Sequence, residues 1–157
     1  MRLVDIVSPE RVASNLQAEG RDEALDHLVQ LLTKGGGLDD SQRDRVLRSL
    51  IQRERVGSTG IGNGIAIPHA KVSGLDRVIG GFARSSEGVE FGCIDGKRAY
   101  LFLVLVAPEG QASLHLKALA RASRMLRDDK FRGQVMGLQS SGEIFTAIAE
   151  KDRGLTA

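Results

Sequence analysis

The sequence of 157 residues contains one cysteine, three prolines, one tyrosine and no tryptophan. With Cys93 alone, no internal disulfide bond can form, which favours a reducing compartment such as the cytoplasm. No apolar run approaches the roughly 18 residues that a transmembrane helix needs, and the N-terminus lacks the apolar core of a signal peptide. We therefore expect a cytoplasmic protein that does not insert into the membrane.

Strong charge and aromatic clusters are also lacking. Lys and Arg total 22 and Asp and Glu total 20, so the formal net charge is only +2. Nucleic-acid-binding proteins usually concentrate basic residues beside aromatic ones, and five Phe and one Tyr offer little such surface. Three isolated histidines and one cysteine show no metal-ligand spacing. The sequence thus argues against nucleic-acid binding and against a metal or other cofactor.

The hydrophobic pattern predicts one domain of interleaved helices and strands. Hydrophobic residues make up 41% of the chain, an ordinary value for a globular protein that buries its own core. Apolar residues at helical spacing predict helices over 24–32, 40–53, 113–126 and 131–138, and a last helix after the capping-box sequence 140–143. Residues 35–37 are three glycines that end the first helix. Asp40 or Ser41 is the expected cap of the second helix, and Ser113 that of the third.

Two strands are expected, over 77–83 and 98–106. The second carries an unbroken apolar run from Tyr100 to Val106, which is typical of a central strand buried on both faces. The polar stretch 84–97 between them is expected to form a loop or a short edge strand around Val89 and Phe91. Strands that alternate with helices indicate a layered α/β domain. In the third helix, we expect one apolar face: Leu116, Leu119, Ala122, Met125 and Leu126.

Residues 53–69 carry the chemistry. Gly57, Gly60, Gly62 and Gly64 interrupt any helix, and their backbone N–H groups can converge on an anion. Pro68 fixes its own φ and biases the preceding residue to an extended conformation, so that the backbone presenting His69 is stiff. Neutral imidazole is a good nucleophile near neutral pH and would form a labile phosphoramidate with phosphorus.

Two nucleotide-binding motifs are excluded at this segment. Residues 60–64 read G-x-G-x-G and lead to a proline and a histidine, whereas a dinucleotide site needs G-x-G-x-x-G at a helix start. No Gly-Lys-Ser or Gly-Lys-Thr sequence is present, so there is no P-loop. On residue chemistry alone, an ordinary glycine-rich turn followed by a histidine is an equal alternative to an anion site.

The run from Gly57 to His69 closely resembles the phosphorylation-site signature of enzyme IIA components of the fructose/mannitol/nitrogen class. These components belong to the bacterial phosphoenolpyruvate-dependent phosphotransferase system. Residues 103–108 and 114–119 resemble the second histidine region of the same family, and the similarity covers nearly the whole chain. The resemblance implies a mixed β-sheet flanked by α-helices and a single type 2 IIA domain over residues 1–157.

The resemblance also implies site residues. His69 would accept the phosphoryl group through Nε2, and His115 would be the second histidine of the pocket. Arg53 would balance the phosphate charge, with Arg55 as the second choice. The remaining phosphate-binding candidates belong to the glycine-rich run: Ser58, Thr59, Gly60 and Gly62.

Other residues of interest have more ordinary interpretations. The hydroxyls of Ser58 and Thr59 could equally hydrogen-bond the turn. His27 lies on the first helix without a motif and is expected to be structural, and Cys93 is expected to be a small buried apolar residue. The family pattern places a carboxylate near the start of the central strand, where this chain has Tyr100, so the surroundings of the pocket are expected to differ there.

Three functions follow as hypotheses. The favoured one is a regulatory phosphoryl carrier of the nitrogen type, which takes its phosphoryl group from a histidine phosphocarrier protein and signals to a regulated protein. The second is a sugar-uptake component that passes the group to a IIB unit. The third is an anion-binding or regulatory module that uses the same scaffold and never carries phosphate covalently.

Overall fold

The computed structural model describes residues 1–155; the last two residues of the predicted domain lie outside the described part. The sheet consists of β1 (Val7–Ala13), β2 (Gly60–Gly62), β3 (Ile65–Ala66), β4 (His69–Val72), β5 (Ile79–Val89) and β6 (Ala99–Pro108). The α-helices are α1 (Arg21–Leu32), α2 (Arg43–Val56), α3 (Ala112–Leu126), α4 (Asp129–Met136) and α5 (Ser141–Gly154). Short 3₁₀ turns cover Leu3–Asp5, Asp40–Gln42 and Glu109–Gln111.

Strand β6 organises the sheet. It pairs antiparallel with β5 on one side and parallel with both β3 and β4 on the other. The strand order is β1-β5-β6-β3-β2, with β4 also bound to β6, and β1 runs parallel to β5. The mixed sheet flanked by helices that the sequence predicted is therefore confirmed, and the apolar run of β6 is central as expected.

The side chains of β6 alternate between two cores. Phe102, Val104 and Val106 belong to the core under α1 and α2. Leu101, Leu103 and Leu105 belong to the core under α3, α4 and α5. Because successive side chains of a strand point to opposite faces, one apolar strand supplies both cores. No helix among residues 1–155 is long and apolar enough to cross a membrane.

Several local predictions were wrong. Strand β5 continues to Val89, so residues 84–89 of the expected loop are strand, and Phe91 is buried outside it. Strand β1 went unpredicted because Pro9, Glu10 and Arg11 interrupt its apolar pattern.

The helix starts also differ from the prediction. Asp40 and Ser41 lie inside a 3₁₀ turn that precedes α2, and Ser113 lies inside α3, whose cap position is Gln111. Leu116 is 67% exposed because it lies on the outer face of α3. The predicted capping box at Ser140 and Glu143 is present.

A buried ion pair fastens α3 to α5. Arg121 Nε donates to Asp152 Oδ1 at 2.6 Å, and Arg121 Nη2 donates to the Asp152 carbonyl oxygen at 2.7 Å. The other carboxylate oxygen of Asp152 accepts from the backbone N–H of Val4 at 3.1 Å. Asp152 is fully buried, so it joins the N-terminal turn, α3 and α5 in one polar contact.

We expect Asp152→Ala to lower the free energy of unfolding by about 3 kcal/mol, because it removes one partner of a buried ion pair and leaves the guanidinium of Arg121 less well compensated. Urea denaturation monitored by circular dichroism measures this loss. The matched control is Asp129→Ala, which removes the exposed partner of Arg132 and should cost much less. Equal losses in the two variants would contradict the assignment.

Candidate functional site

The site lies where β3, β4, α2 and α3 meet. β3 and β4 follow each other along one edge of β6, with Ile65 beside Leu101 and His69 beside Leu105. The link between the two strands is fixed at its end, since the carbonyl oxygen of Pro68 accepts from the N–H of Leu105 at 2.9 Å. His69 therefore begins a strand of the central sheet, although no strand was predicted at this position.

The ring of His69 has a defined tautomer. Its Nδ1 lies 2.6 Å from the carbonyl oxygen of Ile67. A carbonyl oxygen can only accept, so Nδ1 carries the proton and Nε2 of the neutral ring keeps its lone pair. Burial lowers the pKa of His69; the hydrogen bond to Ile67 opposes this, the charge of Arg53 lowers the pKa further, and Glu54 raises it. The neutral ring therefore carries its lone pair on Nε2.

His115 stands edge-on to this ring. The two ring centroids are 5.5 Å apart and the planes meet at 71°. His115 lies in the first turn of α3 and is only 6% exposed, and its Nε2 is buried without a hydrogen-bond partner. Burial, with smaller contributions from the charges of His69 and Lys71, lowers the pKa of His115 to about 4. The structure thus places the two predicted histidines side by side, but His115 is not among the residues that line the cavity beside His69.

A cavity of about 310 Å³ opens beside His69. Its walls come from the end of α2 with Arg53, from the glycine-rich loop (residues 57–68), and from α3 with Leu119, Ser123 and Arg127. Arg53 Nη1 donates to the Gly57 carbonyl oxygen at 2.7 Å, which holds this guanidinium over the start of the loop. Arg55, the second choice, is exposed and does not line the cavity.

Another cavity, of about 390 Å³, lies between β1 and α1. It contains His27 but neither His69 nor His115. We take the cavity at His69 as the candidate site, because it brings together His69, whose Nε2 is unprotonated, and the basic side chains of Arg53 and Arg127. No group of three or more His, Cys, Asp and Glu among residues 1–155 is arranged to hold a metal ion.

The loop hydroxyls make bonds within the protein. The N–H of Thr59 donates to both carboxylate oxygens of Glu54, at 3.2 and 3.1 Å, and its hydroxyl donates to the same carboxylate. Ser58 Oγ accepts from the N–H of Gly60 at 3.0 Å. Of the two alternatives for these hydroxyls, the structure shows the turn-stabilising one. Ser58 and Thr59 nevertheless line the cavity, whereas Gly60 does not.

The glycines are needed for packing and backbone geometry. A Cβ on Gly60 would come within 2.5 Å of Cys93 Sγ, so the loop can lie on this buried thiol only with glycine at that position. Gly62 has φ of 95°, a conformation that residues with side chains rarely adopt, and it lines the cavity. Tyr100, at the position of the expected carboxylate, packs its ring against Gly64 and Gly88.

Sequence reasoning missed three features of the site. The first is Glu54, which is buried although it stands between two arginines in a polar run. The second is the carbonyl oxygen of Ile67, a backbone atom whose hydrogen bond to His69 cannot be read from the type of side chain at that position. Ser123 and Arg127 reach the cavity because they follow Leu119 at four-residue steps on one face of α3. That spacing was visible in the sequence, but nothing in it pointed to a ligand.

Comparison with known proteins identifies relatives over most of the chain. The family model described as "Phosphoenolpyruvate-dependent sugar phosphotransferase system, EIIA 2" matches residues 5–151. A nitrogen regulatory protein of Bradyrhizobium diazoefficiens is 35% identical over 149 residues, covering 95% of each chain. The fructose-specific EIIABC component of Bacillus subtilis is 33% identical over 98% of this chain, but the chain spans only 24% of that relative's length.

Solved structures show the same fold. The nitrogen regulatory protein IIA-Ntr from Neisseria meningitidis superposes with a TM-score of 0.82 at 26% identity, covering 93% of this chain and 98% of that one. The mannitol IIA of Escherichia coli gives 0.73 at 23% identity over 88% and 96% of the two chains, which supports the fold alone. With a family model that matches residues 5–151 and a shared fold, the chain belongs to the EIIA type 2 family of the phosphoenolpyruvate-dependent sugar phosphotransferase system, as the sequence predicted.

Proposed function

We propose that this protein is a phosphoryl carrier in which His69 Nε2 accepts a phosphoryl group from the phosphohistidine of a donor protein and later gives it up. The observation that carries the proposal is the hydrogen bond from His69 Nδ1 to the Ile67 carbonyl oxygen, which leaves Nε2 unprotonated beside the cavity. The donor is a histidine phosphocarrier protein, and we place the exchange in the cytoplasm.

The geometry supports a direct transfer to His69. Nε2 attacks phosphorus, the new N–P bond forms, and the electron pair of the breaking bond goes to the donor's ring nitrogen. Positive charge and hydrogen-bond donors must balance the phosphoryl oxygens in the transition state. Arg53 supplies fixed charge at the cavity wall, and His115 supplies a ring nitrogen that has no partner in the resting protein.

We expect the donor to dock on exposed apolar side chains at the glycine-rich loop. Three exposed apolar side chains lie on or next to the glycine-rich loop: Val56, Ile61 and Ile94. Their exposed fractions are 86%, 37% and 74%, and we call these three residues the apolar rim. Ile61 lines the cavity, and the N–H of Ile94 donates to the Gly60 carbonyl oxygen. Exposed apolar groups around a polar cavity are typical of protein-binding sites.

We favour a regulatory role of the nitrogen type. The nitrogen regulatory protein of Pseudomonas aeruginosa matches over 98% of this chain and 99% of its own length, at 28% identity. Phosphorylation would add about −1.5 to −2 charges beside the apolar rim, enough to change the affinity of a regulated protein that docks there.

The alternative is sugar uptake with transfer to a IIB unit. It is supported by a fructose-specific EIIA component of Haloferax volcanii, which is 34% identical over 83% of each chain. An anion-binding module without covalent phosphate is the third candidate, and it predicts no phosphoryl transfer at all.

The first test is phosphorylation itself. Incubation with phosphoenolpyruvate, enzyme I and the phosphocarrier protein should raise the intact mass of the protein by one phosphoryl group that is lost in acid. His69→Ala should gain none, while the matched control His27→Ala should gain one, because His27 lies in the other cavity. No mass gain in the wild type with competent partners would leave the anion-binding module as the better function.

The rate of phosphoryl uptake should depend on pH in a specific direction. Burial lowers the pKa of His69, so the neutral nucleophile persists below the ordinary value of 6.5, and the rate falls only as the pH drops below the lowered pKa. Rapid-quench measurements with the same donor at each pH, corrected for hydrolysis of the donor, give this profile. A rate that already falls at or above pH 6.5 would contradict a buried, neutral His69 as the nucleophile.

Replacement of His115 should separate docking from chemistry. We expect His115→Ala to bind the phosphocarrier with unchanged affinity while onward transfer slows about tenfold or more, since a group that contacts the phosphoryl oxygens is lost. Calorimetric titration measures the first quantity and single-turnover transfer the second. Wild-type transfer in this variant would restrict His115 to a packing role.

A further inference from the structure

Glu54 is a buried carboxylate that the transfer described above does not use. It lies in the last turn of α2, directly after Arg53, and is 3% exposed. Both of its oxygens accept from the N–H of Thr59, and one accepts from the Thr59 hydroxyl. Thr59 is equally buried, so this contact is the anchor that ties the glycine-rich loop to the end of α2.

Burying the carboxylate of Glu54 is energetically unfavourable. A buried carboxylate is usually compensated by a cation, yet Glu54 forms no ion pair with any of residues 1–155. The contacts to one of its oxygens, from the N–H and the hydroxyl of Thr59, could be made by the amide oxygen of a neutral glutamine. A structural anchor alone therefore does not account for the negative charge.

The chemistry at His69 supplies the missing cation. Before transfer, the ring is neutral, with its proton on Nδ1. When Nε2 forms the bond to phosphorus, this proton stays on Nδ1, so the product ring is a phosphoimidazolium that carries a positive charge. In the reverse step the N–P bond breaks, the electron pair returns to Nε2, and the ring leaves as neutral imidazole. The positive charge exists only while the phosphoryl group is bound or in transfer.

We propose, on the basis of the carrier function above, that Glu54 is a positioning residue whose carboxylate anchors the glycine-rich loop through Thr59 and stabilises the cationic ring that His69 becomes during transfer. The charged and titratable groups around His69 divide by element. A chain of hydrogen bonds joins Glu54 to the ring: the N–H of Thr59 donates to the carboxylate, the N–H of Ile67 donates to the Thr59 carbonyl oxygen at 3.0 Å, and His69 Nδ1 donates to the Ile67 carbonyl oxygen. Arg53 and Glu54 act from α2 with opposite signs, His115 and Arg127 face the site from α3, and Lys71 follows His69 on β4. Arg53 attracts the phosphoryl oxygens, while Glu54 favours the protonated ring.

The test compares Glu54→Gln with two other variants. E54Q keeps an oxygen that accepts from Thr59 but removes the charge. Thr59→Val keeps the charge but removes the hydroxyl contact. Glu150→Gln, on the exposed side of α5, is the matched control for a neutralised glutamate. Each protein is titrated by NMR at the His69 ring without phosphoryl donor, and phosphoryl uptake and onward transfer are then measured in single turnovers.

We expect E54Q to slow both uptake and onward transfer about tenfold, because an interaction made in the transition state is removed in either direction. The pKa of His69 should fall further in E54Q, since a negative charge that favours the protonated ring is gone. T59V should keep the pKa of His69, and E150Q should match the wild type in every measurement. An E54Q protein with wild-type rates or an unchanged His69 titration overturns the proposal, as does a T59V protein that reproduces both defects.

Two further measurements distinguish failure of this proposal from misfolding of E54Q and from failure of the carrier function. If E54Q does not fold, Glu54→Asp provides the test, because it keeps the charge and withdraws it by one methylene. Transfer within about threefold of the wild type supports the proposal, and a tenfold loss in E54D with an unaltered His69 titration overturns it. If wild-type protein takes up no phosphoryl group, the carrier function fails, while the titration of unphosphorylated E54Q still decides whether Glu54 acts on the ring.

Discussion

The hydrogen bond from His69 Nδ1 to the carbonyl oxygen of Ile67 is the interaction on which the site depends. It decides which nitrogen can attack, and it is made by the backbone, so no side-chain substitution removes the acceptor. Pro68 lies between the two residues and restricts the chain there, while β6 holds β3 and β4 on either side of it. The orientation of one imidazole is therefore a property of the central sheet.

The electrostatic design of the site is asymmetric. Burial keeps both histidines neutral in the resting protein, and the permanent charges that act on His69 from α2 are those of Arg53 and Glu54. The positive one lies at the cavity wall, where an incoming anion meets it, and the negative one is buried at the base of the loop. In the proposed carrier, the positive charge would attract the phosphoryl group, and the buried negative charge would favour the cationic ring.

Much of this could be predicted from the sequence. The apolar run of β6 and the helical spacing in α1 and α4 follow directly from burial, and the glycine-rich run carried enough similarity to identify the family. β1, β2, β3 and β4 could not be predicted because they are short or polar and owe their existence to pairing with β5 and β6 or, for β2, with β3. The burial of Glu54 depends on a contact with Thr59 five residues on, after the helix has ended, and no periodic pattern encodes such a contact.

The packing of Gly60 on Cys93 makes the buried thiol sensitive to the position of the glycine-rich loop. The thiol is 6% exposed beneath a position that tolerates no side chain, and its pKa is raised by burial, so it is chemically quiet while the loop is closed. Because this is the only cysteine of the chain, its alkylation rate is an intrinsic reporter of loop opening. A partner that holds the glycine-rich loop against Cys93 would lower the alkylation rate of the thiol, and a partner that displaces the loop would raise it. The measurement needs no introduced label.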